Sequence, residues 1–327
     1  MNARHTVGAV VIGRNEGTRL ARCLASVTGE VRATVYVDSG SVDDSVALAR
    51  AAGVDVVALE TDRPFTAARA RNAGLEALME SAPDLDYVQF IDGDCELQPS
   101  WIPAAMAFLD ARPRVAVTCG RRRERFPQSS VYNQVCDAEW DTPIGEARAC
   151  GGDALVRIAA LQGVGGFDPS LIAGEEPELC LRLRRAGWTI WRLPVEMTLH
   201  DAAMTRFGQW WQRAVRGGHA RAEGMMMHGA SNERHGVRGT LRALLWAGVL
   251  PLFTLGLIAE FGPAGAWALL AYPAQMLRLA LREGARARGA WMRASLLTLI
   301  KFPELQGVVG YMLRRLRQRP VNLIEYK

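Results

Sequence analysis

The chain has 327 residues, of which 49% are hydrophobic and 22% are charged. This composition supplies enough apolar side chains for a well-buried core and excludes a long disordered chain. The formal net charge is only +5, but basic residues crowd the last third of the sequence and acidic residues concentrate in the first two thirds. Such an asymmetry favours a membrane or nucleic-acid surface near the C-terminal end.

The six cysteines are scattered along the chain without a C-x-x-C pair. A zinc site or a disulfide framework normally has closer, patterned spacing, so we expect reduced and mostly buried thiols. The first apolar run is too short for the h-region of a signal peptide. Because reduced thiols are typical of the cytosol, we expect the catalytic part to face the cytoplasm.

Five short apolar runs rich in β-branched residues predict buried strands. They are VGAVVI (7–12), ATVYV (33–37), VDVVAL (54–59), DYVQFI (86–91) and VAVTC (115–119). The segments between them have helical spacing, with Thr66 and Ser100 as plausible caps. Strands that alternate with helices predict an α/β fold with a mostly parallel sheet and helices on both faces.

The alternation stops after residue 120, where the basic run GRRRERFP begins. A charge run of this kind is usually a solvated loop, although contact with lipid phosphates is an alternative. A second ordered block extends from Gly151 to about His200.

The segment 243–277 contains one charged residue, Glu260, in 35 positions. Gly262-Pro263 predicts a turn that divides it into two apolar halves of about 17 residues, the lower limit for a membrane span. Arginines flank both ends, as the positive-inside tendency requires of a hairpin. We expect a membrane-inserted or re-entrant hairpin, and a pair of buried core helices is the alternative.

Polar residues directly follow the first, second and fourth predicted strands, and ligands of an open parallel sheet bind at the carboxyl ends of its strands. Asp92 and Asp94 are the sharpest pair, because residues two apart on an extended backbone face the same side. Two carboxylates with phosphate oxygens suit Mg²⁺ or Mn²⁺, and Gly93 leaves room for a diphosphate. The alternative is a plain Asp-Gly turn.

Four other side chains have two interpretations each. Asp38 is either a turn residue or an acceptor for a nucleobase N–H, and Arg71 is either a phosphate partner or a solvated charge. Glu176 precedes a proline typical of a helix start, where a carboxylate complements the helix dipole or acts as a general base. His200 is either a third metal ligand or a satisfied polar side chain.

Six segments, taken together, resemble the family 2 glycosyltransferases, which have the GT-A fold. They follow the family order over residues 10–188: VVIGRNEGTRL, VDSGSVDDS, ARARNAGLEAL, FIDGDCEL, GGDALVRIAALQGVGGFD and GEEPELCLRLRRAGW. The resemblance implies that Asp38 contacts the base and that Arg71 lies near the diphosphate. It also implies that Asp92 and Asp94 bind the divalent cation, with His200 completing the metal site.

The resemblance implies a catalytic base as well. Glu175 and Glu176 stand where the family has Glu-Asp, so Glu176 takes the role of the catalytic aspartate with a side chain one methylene longer. We assign acceptor binding to Gly151 and Gly152. The donor-binding set is Arg14, Asn15, Glu16, Asp38, Ser39, Arg71, Asp92 and Gly93.

The processive members carry a Q-x-x-R-W signature, which FGQWWQRAVRGGHARAEG does not match, so we expect transfer of a single sugar. Trp210 and Trp211 in this stretch either stack on an acceptor sugar or pack. We expect a GT-A nucleotide-sugar transferase domain over 1–205, linking helices over 206–240, the apolar hairpin over 241–280 and basic amphipathic helices over 281–327.

The expected function is inverting transfer from a nucleotide-diphosphate-sugar, with UDP-sugars favoured, to a lipid-linked or membrane-borne glycan at the cytoplasmic face of the plasma membrane. Polysaccharide or lipopolysaccharide biosynthesis is the setting, and we expect no nucleic-acid partner. A metal-dependent nucleotidyltransferase and a catalytically impaired nucleotide-sugar-binding protein are the alternatives. A dinucleotide-dependent oxidoreductase is disfavoured because no G-x-G-x-x-G follows the first strand.

Overall fold

A computed structural model of the protein describes residues 7–60, 63–287 and 289–317. The chain divides into two compact units. The N-terminal unit comprises Met1–Ser129 and Cys136–Ala203, and the C-terminal unit comprises Ser130–Val135 and Met204–Lys327. The predicted domain boundaries stay a prediction, and the last part of the predicted 281–327 region lies outside the described residues.

Within the described residues, the N-terminal unit is built on one nine-stranded sheet, in the order β3-β2-β1-β4-β8-β6-β9-β5 with β7 paired to β9. The strands are β1 (Val7–Gly13), β2 (Ala33–Asp38), β3 (Asp55–Ala58), β4 (Tyr87–Asp92), β5 (Cys95–Leu97), β6 (Val115–Glu124), β7 (Gly145–Ala147), β8 (Ala154–Arg157) and β9 (Thr189–His200). The five predicted strands are confirmed as β1, β2, β3, β4 and β6.

The helices that accompany this sheet are α1 (Thr18–Val27), α2 (Ser45–Ala51), α3 (Ala67–Ser81), α4 (Trp101–Asp110), α5 (Val131–Trp140), α6 (Ile158–Gly163) and α7 (Glu175–Arg185). Helix α3 packs against β1 and β2. A side chain at Gly74 would come within 2.3 Å of Val10 and 2.8 Å of Val37. Glycine at this position therefore lets the helix lie directly on the sheet.

The α/β fold is confirmed, but the expectation of a mostly parallel sheet holds only for its N-terminal half. Strands β3, β2, β1 and β4 are parallel, whereas β8 is antiparallel to both of its neighbours. Strand β5 pairs antiparallel with β9. A parallel return beside β4 needs a crossover of a dozen or more residues, and Gly93-Asp94 is too short to supply one.

Strand β6 continues five residues beyond its predicted end, through the arginine run to Glu124. Its arginines have acidic partners within the unit: Arg121 pairs with Asp137, and Arg123 pairs with Glu196. The expectation of a solvated basic loop is therefore wrong, because this segment is a paired strand whose charges are already neutralised.

The C-terminal unit is helical in its described part. Its helices are α8 (Phe207–His228), α9 (Val237–Leu244), α10 (Leu250–Phe261), α11 (Ala271–Glu283), α12 (Ala290–Leu299) and α13 (Lys301–Leu316), with a π-helical turn at Leu245–Val249 and a 3-10 helix at Gly262–Leu270. Helices α8 and α13 touch through two glycines. A Cβ at Gly218 would lie 2.0 Å from the Glu304 carbonyl oxygen, and one at Gly307 would lie 2.0 Å from that of Val215.

One helical stretch among the described residues, Val237–Glu283, is long and apolar enough to cross a membrane, with a mean hydropathy of 1.8. The stretch folds back on itself, because the Tyr272 hydroxyl donates a hydrogen bond to the Trp246 carbonyl oxygen at 2.6 Å. A straight helix would separate these two residues by about 39 Å. Gly262, with φ +63, lies at the reversal.

The outer surface of this hairpin is apolar. Large hydrophobic side chains there are more than half exposed: Leu252, Phe253, Leu255, Phe261, Trp267 and Leu270. Exposed apolar surface on this scale is typical of a membrane or protein contact.

Candidate active site

The Asp92-Gly93-Asp94 segment is a tight turn between β4 and β5. The Gly93 amide donates a hydrogen bond to the Ile12 carbonyl oxygen at 2.8 Å, and a Cβ at Gly93 would approach that oxygen to 3.2 Å. The extended backbone expected here is therefore wrong. The two carboxylates lie at the same sheet edge but contact different partners.

Asp92 is held by two arginines. Arg71 donates to Oδ1 at 3.0 Å and Arg122 donates to Oδ2 at 3.2 Å. Arg71 is 3% exposed and also donates to Glu175 Oε1 at 2.6 Å. Burial by itself would raise the pKa of Asp92, but the two guanidiniums outweigh it, so the pKa lies below its ordinary value. Asp92 is therefore an ionised member of a buried charge network.

Asp94 lies beside His200. The antiparallel pairing of β5 with β9 sets Cys95 opposite His200, and the His200 Nε2 atom is 3.3 Å from Asp94 Oδ2. On the other side of the ring, Nδ1 is 3.3 Å from Glu124 Oε2. Glu124 is 1% exposed and also accepts a hydrogen bond from the Ala202 amide. A carboxylate at Nδ1 orients the ring so that Nε2 faces Asp94.

Asp153 and Gly152 hold the turn from the other side. Asp153 is fully buried, and it accepts hydrogen bonds from the Asp92 amide at 3.0 Å and from the Thr198 hydroxyl at 2.8 Å. The Gly152 carbonyl oxygen accepts from Arg71 at 3.3 Å. A Cβ at Gly152 would lie 2.8 Å from Asp92 Oδ2, so only glycine permits this approach.

The predicted donor-binding residues after β1 and β2 form a compact loop pair. Asp38 is 4% exposed, and its oxygens accept hydrogen bonds from the Tyr36 hydroxyl and from the amides of Gly40 and Ser41 at 2.9 to 3.0 Å. Its carboxylate therefore stabilises its own loop, and base recognition by Asp38 stays a prediction. The Ser39 amide donates to the Gly13 carbonyl oxygen at 3.0 Å.

The β1 loop is tied to the β2 loop. The Asn15 amide donates to the Ser41 hydroxyl at 2.9 Å, and Asn15 Oδ1 accepts from the Val42 amide at 2.8 Å. Glu16 forms an ion pair with Arg19 at 2.9 Å. The Arg14 guanidinium lies 5.6 Å from the centre of the Phe65 ring, an aromatic residue near this loop that the sequence analysis did not single out.

The two predicted catalytic glutamates point to different partners. Helix α7 begins at Glu175, one residue earlier than the proline suggested, after Gly174 in a left-handed conformation. Glu175 binds Arg71, whereas Glu176 Oε1 accepts from the Cys150 amide at 2.5 Å and from the Cys180 thiol at 3.2 Å. Burial raises the pKa of Glu176 above its ordinary value, although these hydrogen bonds act in the opposite direction.

Glu176 lines a small pocket together with the two predicted acceptor-binding glycines, Gly151 and Gly152. Gly151 has φ +83, and no atom lies within 4 Å of a Cβ built there. Because Gly152 also touches Asp92, this pocket adjoins the charge network.

Trp210 and Trp211 belong to the C-terminal unit. Trp210 is 1% exposed and packs against Phe207 and Tyr132 at centroid distances of 5.4 and 6.2 Å. Its ring surface is not available to a sugar, which corrects the expectation of acceptor stacking. Trp211 is half-buried and donates to Gln306 at 2.8 Å, and its acceptor role stays a prediction.

The donor set fits a divalent cation. Neighbouring ligands of an octahedral ion at about 2.1 Å lie about 3 Å apart, close to the 3.3 Å between Asp94 Oδ2 and His200 Nε2. The network also has an excess of negative charge, with five carboxylates against two guanidiniums. Its carboxylates belong to Asp92, Asp94, Glu124, Asp153 and Glu175, and its guanidiniums to Arg71 and Arg122. A divalent cation would offset most of this excess.

Sequence reasoning missed Arg122, Glu124 and Asp153. The first two lie in the run that we interpreted as a loop, and they join the site only because β6 extends through it. Asp153 follows directly after the two glycines of a family-like segment, and that position was the available signal.

The sheet with its acidic turn and buried arginine pair defines a glycosyltransferase domain of the GT-A type. Residues 9–148 match the model described as glycosyl transferase family 2. This region belongs to that family, and the chain carries a family 2 glycosyltransferase domain.

Two curated relatives and one solved structure are similar to the chain. The pre-mycofactocin glycosyltransferase of Mycobacterium tuberculosis is 27% identical over 210 residues, 60% of this chain and 42% of that protein. The chain therefore spans less than half the length of this relative. The succinoglycan biosynthesis protein ExoA of Rhizobium meliloti is 27% identical over 250 residues, 72% of each chain.

The solved structure is the mannosyltransferase PcManGT of Pyrobaculum calidifontis in complex with GDP-Man and Mn²⁺. It aligns with a TM-score of 0.60 and 17% identity, covering 94% of this chain and 87% of that one. At this identity the likeness shows the fold alone.

Proposed function

We propose that the protein is an inverting glycosyltransferase that moves one sugar from a nucleotide-diphosphate donor to a hydroxyl group of an acceptor. The observation that carries the proposal is the convergence of Asp94, His200 and the arginine-bound Asp92 at the carboxyl ends of the parallel strands. Parallel α/β sheets bind nucleotides at this edge. The family 2 domain and the Mn²⁺-bound, GDP-Man-bound structural relative support it.

Asp94 and His200 would hold the divalent cation, with Asp92 beside them and Glu124 fixing the histidine ring. When bound, Mn²⁺ or Mg²⁺ supplies positive charge to the diphosphate leaving group. The chain's own contribution is the buried pair Arg71 and Arg122, whose planar guanidiniums suit phosphate oxygens. Their ion pairs with Asp92 and Glu175 hold them in place before substrate binds.

We propose Glu176 as the general base that removes the proton from the acceptor hydroxyl. A raised pKa brings a carboxylate closer to the range in which it accepts protons efficiently near neutral pH. Glu175 has the other role, because its bond to Arg71 positions a phosphate-binding group. Gly151 and Gly152 line the pocket beside Glu176 and leave room for an acceptor.

The acceptor we propose is a lipid-linked or membrane-borne glycan in polysaccharide synthesis, and a UDP-sugar is the favoured donor. The succinoglycan relative supports the polysaccharide setting. The apolar hairpin supports a membrane location at the cytoplasmic face.

The hairpin dimensions favour insertion from one side over a full crossing. From Trp246 to its tip at Phe261 the first leg rises about 23 Å at 1.5 Å per residue. The return from Gly262 to Tyr272 covers about 20 Å at the 3-10 rise of 2.0 Å. Both legs are shorter than the hydrocarbon core of about 30 Å. We therefore propose a re-entrant hairpin that enters and leaves through the same leaflet.

Nucleotide release tests the function. The purified chain is screened with UDP-, GDP- and dTDP-sugars and membrane lipid extract as acceptor, with Mn²⁺ or with EDTA. We expect metal-dependent release of a nucleoside diphosphate from one donor. Release of pyrophosphate would indicate a nucleotidyltransferase, and donor binding without turnover under every condition would contradict transfer.

Vesicle flotation tests the membrane proposal. Wild-type protein should float with anionic vesicles, and a Leu252→Glu, Leu255→Glu double variant should remain at the bottom of the gradient. A Gln212→Glu variant on α8 adds charge outside the hairpin and is the control. Equal flotation of the hairpin variant and wild type would contradict insertion.

A further inference from the structure

A second cluster of metal-ligand side chains lies at the start of α7, apart from the Asp94–His200 pair. It consists of Cys150, Glu176 and Cys180, whose ligand atoms all lie within 4.8 Å of one another. We propose that these three side chains form a binding site for a thiophilic divalent cation such as Zn²⁺, and that occupancy of this site controls the availability of Glu176.

The distances match those of a tetrahedral zinc site. The two sulfur atoms are 3.7 Å apart, and Cys180 Sγ is 3.2 Å from Glu176 Oε1. Two thiolates at about 2.3 Å from a tetrahedral zinc ion are about 3.8 Å apart, and a sulfur and a carboxylate oxygen are about 3.5 Å apart. A cation can therefore be accommodated with shifts of a few tenths of an ångström.

The arrangement follows from the helix and one hydrogen bond. Cys180 is four residues after Glu176 on α7, so the two side chains share one face of the helix. The Cys150 amide donates to Glu176 Oε1 at 2.5 Å, which brings the loop thiol onto the same carboxylate. The spacing of 30 residues between the cysteines conceals this pair in the sequence, where we expected no zinc site.

The chemistry of the cluster separates it from the oxygen-rich Asp92–Asp94 turn. Two thiols select soft or borderline cations, whereas carboxylates and carbonyls suit Mg²⁺ and Mn²⁺. Glu176 and Cys180 are buried, and the half-buried Cys150 lines the same small pocket as Glu176. This pocket gives an ion a path to all three ligands.

Binding is coupled to proton release. The pKa of Cys150 lies well above its ordinary value because of the hydrogen bond with Cys180 and because of burial. The thiols are therefore protonated in the metal-free protein, and Zn²⁺ displaces two protons to solvent as two Zn–S bonds form. Affinity should consequently rise with pH.

The effect on catalysis rests on the proposed function, in which Glu176 is the general base. A carboxylate bonded to zinc cannot accept the acceptor's proton, so Zn²⁺ should inhibit transfer even with Mn²⁺ in excess. A chelator should reverse the inhibition. Zinc binding itself does not depend on that role, so the two ideas can fail separately.

The test uses the full chain, kept reduced with a phosphine, and Cd²⁺ as a spectroscopic probe for thiolate ligands. Wild type should give the ultraviolet charge-transfer band of a cadmium thiolate, saturating at one equivalent. Loss of an outer-shell partner alone weakens metal binding by about 10- to 100-fold, so Cys150→Ser and Cys180→Ser should weaken it by more than about 100-fold. Cys136→Ser, which alters a fully buried cysteine outside the cluster, should bind like wild type.

Three outcomes would overturn the site: no thiolate band in the wild type, equal bands in the two cluster variants, or a Cys150–Cys180 disulfide in the reduced preparation by mass spectrometry. Asp94→Asn separates the two proposals, because it should keep the cadmium–thiolate band while losing Mn²⁺-dependent turnover. A chain that binds Cd²⁺ through its cysteines but turns over no donor would contradict the proposed function and leave this site standing.

Discussion

Replacing Gly152 with alanine tests whether the charge network around Asp92 is as tightly packed as the structure indicates. The added methyl group would lie 2.8 Å from Asp92 Oδ2, 3.1 Å from Arg71 Nη2 and 3.3 Å from Arg122 Nη1. None of these groups can retreat freely. Arg71 is also bonded to Glu175 at 2.6 Å, and the Asp92 backbone is held by Asp153.

The expected effect is the loss of one charge-assisted hydrogen bond. Such a bond contributes about 1.5–3 kcal/mol. If the folded state yields, the melting temperature should fall by about 2–4 °C per kcal/mol for a domain of this size. If instead Asp92 or Arg71 moves out of its catalytic position, turnover should fall by about 10- to 150-fold.

Thermal melting and nucleotide release, measured on the same preparation, distinguish these two results. Gly163→Ala is the matched control, because no atom lies within 4 Å of a Cβ at Gly163 and its backbone is not left-handed. This control should melt and turn over like wild type. A Gly152→Ala protein with unchanged melting and unchanged turnover would refute the close packing of this network.

Three further results are expected. Glu124→Gln should weaken Mn²⁺ binding by about 10- to 100-fold in calorimetric titration, and unaltered affinity would show that the His200 ring needs no carboxylate behind it. Glu176→Gln should lower turnover by about a hundredfold or more, and near-normal turnover would remove Glu176 from the mechanism. The same variant should be more stable than wild type near neutral pH. The raised pKa of Glu176 means that its contribution to stability is present below its ordinary value of 4.5 and is lost as pH rises through the folded-state value. Urea denaturation between pH 4 and pH 8 checks this sign, and a wild type that gains stability relative to the variant as pH rises would contradict it.

The strands and their polar ends were predictable because they depend on local pattern. Continuous β-branched runs predicted β1, β2 and β4, and a parallel sheet brings the ends of such strands together at one edge. The prediction that Asp92 and Asp94 lie at the edge where ligands bind needed no knowledge of distant contacts.

Contacts made through sheet register could not be predicted in this way. Arg122 and Glu124 follow an apolar strand in a run of charges, and local pattern assigns such a run to solvent. Each instead meets a partner far along the chain: Arg122 lies 3.2 Å from Asp92, and Glu124 lies 3.3 Å from His200. A strand that carries charges on a buried face is recognisable only when its partners are known.

The two adjacent glutamates show a second limit. Neighbouring residues of a helix are turned by about 100° relative to each other, so Glu175 and Glu176 cannot face the same partner. Which one meets Arg71 depends on the rotation of α7 about its axis. That rotation is set by tertiary packing, and the sequence contains no local signal for it.

Residues 150 to 153 connect the two sides of the site. The Cys150 amide fixes Glu176, Gly152 packs against Asp92, and Asp153 binds the Asp92 amide. A shift of this segment therefore changes the position of the proposed base and the geometry of the donor site together. Zinc bound to Cys150 would act on the same segment, so its effect should reach the donor end of the site as well as the base. Donor affinity measured with zinc present should then fall along with turnover, whereas a base that is merely blocked would leave donor affinity unchanged.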